Sequence, residues 1–339
     1  MKPRVAVAGA GAFGKHHLRV IHQSPHAELA GVLDLDLSRA AKVGEPFAAR
    51  VFHSLDELAA HADAAVVATP TVTHAGIGCA LMARGLDVLI EKPIAHSPEA
   101  GRALVEAAWK HGRVLQVGHL ERFNPVVLAL GKVITKPLFF EIHRMSEFSP
   151  RSLDVDVVLD LMIHDLDVVL SLTGETPEEI RAAGVRILSE KVDIANVRLQ
   201  FPSGCVANLT ASRVSTERVR KLRLFQPHEY ISVDYGRQDG VRFRVRPGAA
   251  VTDASSSHAG SYAGSHAGPL PAGIDFTQLS VTKDEPLRLE LENFFECIAT
   301  RDAPRVTGEQ AVAALEAACA ILDRIEVHAQ LVARALGTA

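Results

Sequence analysis

The chain has 339 residues, enough for two domains with their own cores, and 47% of them are apolar, as in a compact globular protein. Lys and Arg number 36 against 40 Asp and Glu, a formal net charge of -4 without any block of like charge, which argues against nucleic acid and anionic membrane as partners. No apolar stretch approaches the roughly 20 residues that cross a bilayer, and no signal peptide precedes the first strand-like run, so a cytoplasmic protein is expected.

Arg4–Ala8 reads as a buried strand, Phe13–Ser24 as a helix and Glu28–Leu33 as the next strand, ending at Asp34. Between the first two lies Gly9-Ala10-Gly11-Ala12-Phe13-Gly14, a glycine turn that follows a strand and opens a helix, with an acidic residue 20 positions beyond its last glycine. In that context each glycine has a physical task. Gly9 permits the tight turn, Gly11 lets a pyrophosphate approach the backbone, and Gly14 lets the helix pack close to the sheet. The helix N-terminus over Ala12 and Phe13 stabilises the phosphate charge. Asp34 is placed to accept hydrogen bonds from the adenosine ribose and to repel a 2′-phosphate, which favours NAD over NADP; Arg39 is the nearby residue that tempers this preference.

Ala64–Thr69 and Asp87–Ile90 are further short β-rich runs, each with a helical segment before it, and Val114–Val117 closes the series. Alternating strands and helices predict an α/β fold with a parallel sheet covered on both faces, whose ligands sit at the carboxyl ends of the strands. Thr69-Pro70-Thr71, Glu91-Lys92-Pro93 and Gly118-His119 all fall just past such ends. Lys92 therefore puts a cation where cofactor and substrate meet, and Pro93 sets a rigid turn that admits a cis peptide bond. Alone, the same residues also fit a surface lysine in an ordinary strand–proline turn.

After about Asn124 the rhythm changes. Pro125–Val133 reads as a short helix and Val155–Leu172 as a longer one, which puts Asp160 and His164 on one face at i, i+4. A carboxylate there can orient an imidazole for proton transfer, and a solvent-facing pair has the same spacing. Ile180–Leu188, Asp193–Phe201, Cys205–Arg213, Lys221–Gln226, Tyr230–Asp234 and Val241–Val245 follow as extended runs without intervening helices, predicting an open, mostly antiparallel sheet in an α+β unit. Pro247–Gly273, with its repeated Ser/His/Ala/Gly units, is expected to be a flexible excursion. Its His258 and His266 lack further ligands nearby, so no metal is expected. Pro286–Thr300 and Gly308–Leu336 read as helices, and the dispersed Cys79, Cys205, Cys297 and Cys319 as reduced thiols. The expected division is a cofactor-binding unit over 1–120 and a second unit over 121–339.

Taken in order, Gly9-x-Gly11-x-x-Gly14, Ala68-Thr69-Pro70-Thr71 with His74, Glu91-Lys92-Pro93 and Asp160-x-x-x-His164 closely resemble the glucose–fructose oxidoreductase / inositol dehydrogenase / MocA family of nicotinamide-dependent sugar oxidoreductases. The resemblance runs over essentially the whole chain and implies a Rossmann domain for the first unit, and for the second a substrate-binding domain whose open sheet face builds a homodimer or homotetramer. It implies that Thr69, Pro70, Thr71 and His74 line the dinucleotide groove with Glu91 and Lys92. It implies that Lys92 lies beside the nicotinamide ribose and the substrate hydroxyl, that His164 accepts the proton and that Asp160 contacts substrate. The string Gly118-His119-Leu120-Glu121-Arg122-Phe123-Asn124-Pro125 is similar to that of the family members that oxidise the 3-hydroxyl of UDP-N-acetylglucosamine, in a route whose keto sugar is then aminated, as in lipopolysaccharide biosynthesis. A UDP-sugar is thus the implied substrate, with His119, Arg122 and Asn124 among its contacts. For Arg122 a pairing with Glu121 or Glu91 at a hinge stands beside that reading. The alternatives are a nucleotide-linked uronic acid, free inositol, a redox-assisted glycosidase, or a non-enzymatic NAD-sensing protein.

Overall fold

A computed structural model describes residues 2–148, 155–246, 248 and 273–337. Six strands, β1 Arg4–Ala8, β2 Glu28–Leu33, β3 Val51–Phe52, β4 Ala64–Val67, β5 Asp87–Glu91 and β6 Leu115–Gly118, form a parallel sheet in the order β3-β2-β1-β4-β5-β6. Four of the five residues of β1 and all four of β4 are buried. Near-continuous apolar strands of this kind are what a sheet covered on both faces requires. The cover includes α1 Ala12–Gln23, α2 Leu37–Gly44, α3 Leu55–His61, α4 His74–Ala83 and α5 Pro98–His111. Order reverses at β1, whose neighbours are β2 and β4, and the ligand crevice of such a sheet opens at that point.

After α6 Pro125–Gly131 come β7 Phe139–Glu147, a π-helical turn Val158–Met162 and α7 Ile163–Thr173. Then follow β8 Glu179–Val185, β9 Ile194–Gln200, β10 Val206–Ser215, β11 Val219–Gln226, β12 Glu229–Asp234, β13 Asp239–Val245 and β14 Ile274–Gln278. They form an eight-stranded sheet ordered β14-β13-β12-β11-β7-β10-β9-β8, antiparallel except for the β7–β10 pair. Here burial alternates, as along β9, because the helices cover one face. The described residues contain no helix long and apolar enough to cross a membrane.

The last helices tie the two sheets together. In α8 Pro286–Thr300, Leu291, Phe294 and Phe295 pack with Val5 and Val7 of the first sheet. In α9 Gly308–Leu336, Ala311 and Leu315 join the first sheet's core, while Ala318, Ile321 and Ile325 join that of the second. A Thr307–Gln310 capping box fixes where α9 begins.

Three strands escape the sequence pattern. β3 has only two residues, too few to show a period. β14 adjoins the excursion, which apart from Gly248 and Gly273 lies outside the described residues. β7 is the largest omission, since it stands between β11 and β10 in the middle of its sheet.

Candidate active site

All the strand-end motifs converge on the carboxyl edge of the parallel sheet. Gly9 has φ 106°, and a Cβ there would lie 2.4 Å from the Ala68 carbonyl oxygen; one on Gly14 would lie 1.8 Å from that of Gly9. Gly11 instead faces open space, with nothing within 4 Å of a Cβ. The turn is thus closed on the protein side and open where a pyrophosphate approaches. Asp34, at the end of β2, accepts from the Ala10 N–H at 2.7 Å and the Asp36 N–H at 2.9 Å, and pairs with Arg39. Burial alone would raise its pKa, but the Arg39 guanidinium and the two amides hold it below the ordinary carboxylate value. These residues fit the adenosine half of a dinucleotide: a fixed anion for ribose hydroxyls and an uncovered helix N-terminus for phosphate.

Two adjoining cavities, of about 390 and 440 Å³, share Phe13, Glu91, Lys92 and Asp160. The first runs past Thr69, Pro70, Thr71 and His74; the second holds His164, Arg144 and Arg220. His74 has its two ring nitrogens 2.9 Å from the Thr69 carbonyl and 3.0 Å from that of Pro93, so it links two of the loops that wall the first cavity. The Lys92–Pro93 peptide is cis.

Lys92 Nζ donates to the Asp160 carbonyl at 2.7 Å and lies 3.5 Å from the Asp160 Oδ1. Burial lowers the Lys92 pKa, opposed by Asp160 and Glu91. Asp160 therefore serves the lysine. The expectation that it would orient His164 is corrected by the π turn: Asp160 sits inside Val158–Met162, whose wider pitch does not stack i on i+4, and its carbonyl and Oδ1 face Lys92. His164 keeps a buried Nδ1 with no partner. Burial first, then the charges of Lys92 and Arg144, push its pKa well below 6.5, so the ring is neutral at neutral pH.

Several charged groups around these residues carried no signal in the sequence. Arg144, buried on β7, donates to Asp165 through Nε at 2.7 Å and Nη2 at 2.8 Å, and to Glu121 through Nη1 at 2.9 Å. Its guanidinium lies 5.2 Å from the Tyr235 ring centre. Below Glu91, the fully buried His17 meets the carboxylate at 2.7 Å. Burial favours the neutral acid at Glu91, but His17 and Lys92 bring its pKa below the usual value.

Glu290 of α8 lies buried in the same region, its Oε1 without a partner. Burial, then the Glu91 charge, raise its pKa well above 4.5. The folded state therefore holds a proton that the unfolded chain gives up near 4.5, and the stability this provides is lost as pH rises towards the raised value. Glu290→Gln, which imitates the neutral acid, should unfold close to the parent temperature in acid and about 2–4 °C above it on the alkaline side. Thermal unfolding across pH checks this, and a gap that does not widen with pH rejects it.

The string after β6 is placed differently from its expected role. His119 is buried, with Nδ1 4.0 Å from the Asp167 Oδ2. Arg122 points away from the catalytic cavity, 3.5 Å from Asp167 and 3.0 Å from the Arg305 carbonyl; its partner is neither Glu121 nor Glu91. Asn124 caps α6: its Oδ1 accepts from the Val126 N–H at 3.3 Å, and its Nδ2 donates to Glu121 at 3.0 Å and the Tyr235 carbonyl at 3.1 Å. The polar atoms of Asn124 are committed to the protein, and neither Arg122 nor Asn124 lines the cavity that holds Lys92 and His164, so the expectation that they read substrate there is corrected.

Comparison with known proteins agrees with this geometry. Residues 3–119 match the GFO/IDH/MocA oxidoreductase family with an NAD-binding Rossmann fold, and residues 130–226 match the GFO/IDH/MocA C-terminal domain. The UDP-N-acetylglucosamine 3-dehydrogenase of Acidithiobacillus ferrooxidans is 40% identical over 233 residues, 68% of this chain and 74% of that one. An inositol 2-dehydrogenase of Rubrobacter xylanophilus is 35% identical over 191 residues, 53% of this chain and 55% of that one. A solved structure of the A. ferrooxidans enzyme superposes with a TM-score of 0.87 at 33% identity, covering 97% of this chain and 99% of that one.

Proposed function

The chain belongs to the GFO/IDH/MocA family of NAD-binding oxidoreductases, and from that premise we propose that it oxidises the 3-hydroxyl of UDP-N-acetylglucosamine to the 3-keto sugar. The observation that carries this reading is the meeting of the dinucleotide cavity and the Arg-lined cavity at Lys92 and Asp160, with the neutral His164 in the second. Identity to a dehydrogenase of that nucleotide sugar supports the choice of substrate.

When bound, the nicotinamide supplies the hydride acceptor. Gly9, Gly11, Gly14 and Asp34 hold the adenosine diphosphate half; Thr69, Pro70, Thr71 and His74 wall the groove between it and the reacting carbon. The Lys92 ammonium, fixed by Asp160, stabilises the alkoxide as it develops. His164 takes the hydroxyl proton at Nε2, the ring nitrogen other than the buried Nδ1. Phe13, 60% exposed, lines both cavities where they meet and offers an apolar surface to the cofactor.

We assign cofactor binding to residues 1–120 and substrate binding with self-association to 121–339. A homodimer or homotetramer fits the aromatic row Phe139, Phe225, Tyr230, Phe243 and Phe276 that crosses five adjacent strands. Four free cysteines fit a reducing cytoplasm. Supply of an amino sugar to lipopolysaccharide is the role that follows from the substrate.

The inositol 2-dehydrogenase relatives favour a second reading, oxidation of an unlinked polyol. Incubation of the protein and NAD with UDP-N-acetylglucosamine, other UDP-sugars and myo-inositol separates the two. The expected result is NADH absorbance and a product lighter by two hydrogens with UDP-N-acetylglucosamine. A panel that responds only to inositol selects the second reading.

A further inference from the structure

Strands β7 and β11 run antiparallel, and their register sets Arg220 directly opposite Arg144. Like charges across a strand pair repel, so the arrangement works against the sheet that carries it. Arg144 is fully matched by Asp165 and Glu121. Arg220 is not: among the described residues its closest carboxylate oxygen is the same Glu121 Oε1, 3.9 Å away and already accepting from Arg144 at 2.9 Å.

Arg220 lines the 440 Å³ cavity with Lys92 and His164, and its side chain is 33% exposed. The other charges on that wall have partners. Lys92 is held by Asp160, Glu91 by His17 and Glu285 by Arg19. Burial, then Arg144 and the exposed Arg218, lower the Arg220 pKa, so an anion in the cavity would relieve a charge the protein leaves under-compensated. A local rule broken at one point of a cavity wall is where a ligand supplies the missing partner.

We propose that Arg220 reads the diphosphate of the nucleotide sugar and so sets the preference for a nucleotide-linked sugar over a free one, an inference that rests on the nucleotide-sugar reading above. A planar guanidinium presents paired N–H donors that match phosphate oxygens, and a sugar engaged at Lys92 and His164 carries its anomeric phosphates into the same cavity. Arg220 is a specificity residue in this arrangement and touches no reacting atom.

The test compares Arg220→Gln and Arg220→Lys with the parent on UDP-N-acetylglucosamine, N-acetylglucosamine 1-phosphate and N-acetylglucosamine, with UDP alone as competitor. For the glutamine variant, kcat/KM on the UDP-sugar should fall about 10- to 100-fold, mostly through KM, as expected for a lost charge-assisted pair. The loss should shrink from UDP-sugar to sugar phosphate to free sugar, UDP should weaken as an inhibitor, and lysine should restore part of the effect. Tm should hold or rise, because the repulsion with Arg144 is gone. A parent that prefers the UDP-sugar and a glutamine variant that keeps that preference would overturn the inference and leave the substrate reading standing. An equal fall in kcat on every substrate with a lowered Tm would assign Arg220 a structural role and overturn it too. A parent indifferent to UDP-sugars removes both.

Discussion

Lys92→Ala is expected to lower kcat by about 10²–10⁴-fold, the range of a positioned acid–base or charge-stabilising group, while the NAD Kd stays close to that of the parent. The reason lies in what Lys92 touches. Its ammonium is bound to the Asp160 backbone carbonyl and lies 3.5 Å from the carboxylate, at the junction of the two cavities. The glycine turn and Asp34, which fit the adenosine half, follow β1 and β2, while Lys92 follows β5, with β4 between β1 and β5, so an alanine there leaves that half untouched. Fluorescence titration with NADH gives the cofactor term and single-turnover kinetics the chemical one. If both moved by the same factor, Lys92 would be a cofactor anchor and the proposed chemistry would lose its electrophile.

Most of the first sheet was legible in the sequence because its strands β1, β4, β5 and β6 are buried on both faces. Runs such as Ala64–Val67 need no alternation to be recognised, and each ends at a motif with a physical task. β7 was not legible, and the reason is the site itself. Phe140 and Ile142 begin an alternating pattern, but the next inward position is Arg144, a buried charge where an apolar residue should continue the strand. Its partners Glu121 and Asp165 lie on segments remote in the chain, so their mutual neutralisation exists only after folding. Asp160 and His164 were visible as a pair, yet their spacing presumed an α-helix, and the π turn gives the carboxylate to Lys92 instead. Arg122 and Asn124 misled for the opposite reason. Polar residues in a family-like string invite a ligand, but Asn124 spends its Oδ1 on a helix cap and its Nδ2 on protein acceptors, and Arg122 turns to Asp167 and the Arg305 carbonyl.

His164→Asn should remove about 10²–10⁴ of kcat/KM and, with it, the acid limb of the pH profile. Charging His164 is opposed by burial and by Lys92, Arg144, His119 and Arg220, so in the parent the limb should lie below 6.5, the ordinary imidazole value. Lys92 must keep its proton to stabilise the alkoxide, and burial lowers its pKa, so the alkaline limb should fall below 10.5. The two groups are coupled, and the coupling has a sign that can be checked. Each disfavours the charged form of the other, so removing the Lys92 cation makes His164 easier to protonate. In the residual activity of Lys92→Ala the acid limb should therefore move to higher pH, while the alkaline limb due to Lys92 disappears. An acid limb that stays at the parent position in Lys92→Ala would mean that the lysine does not face the imidazole that takes the proton. The shared site at the junction of the two cavities would then be wrong, even if each single substitution abolished turnover.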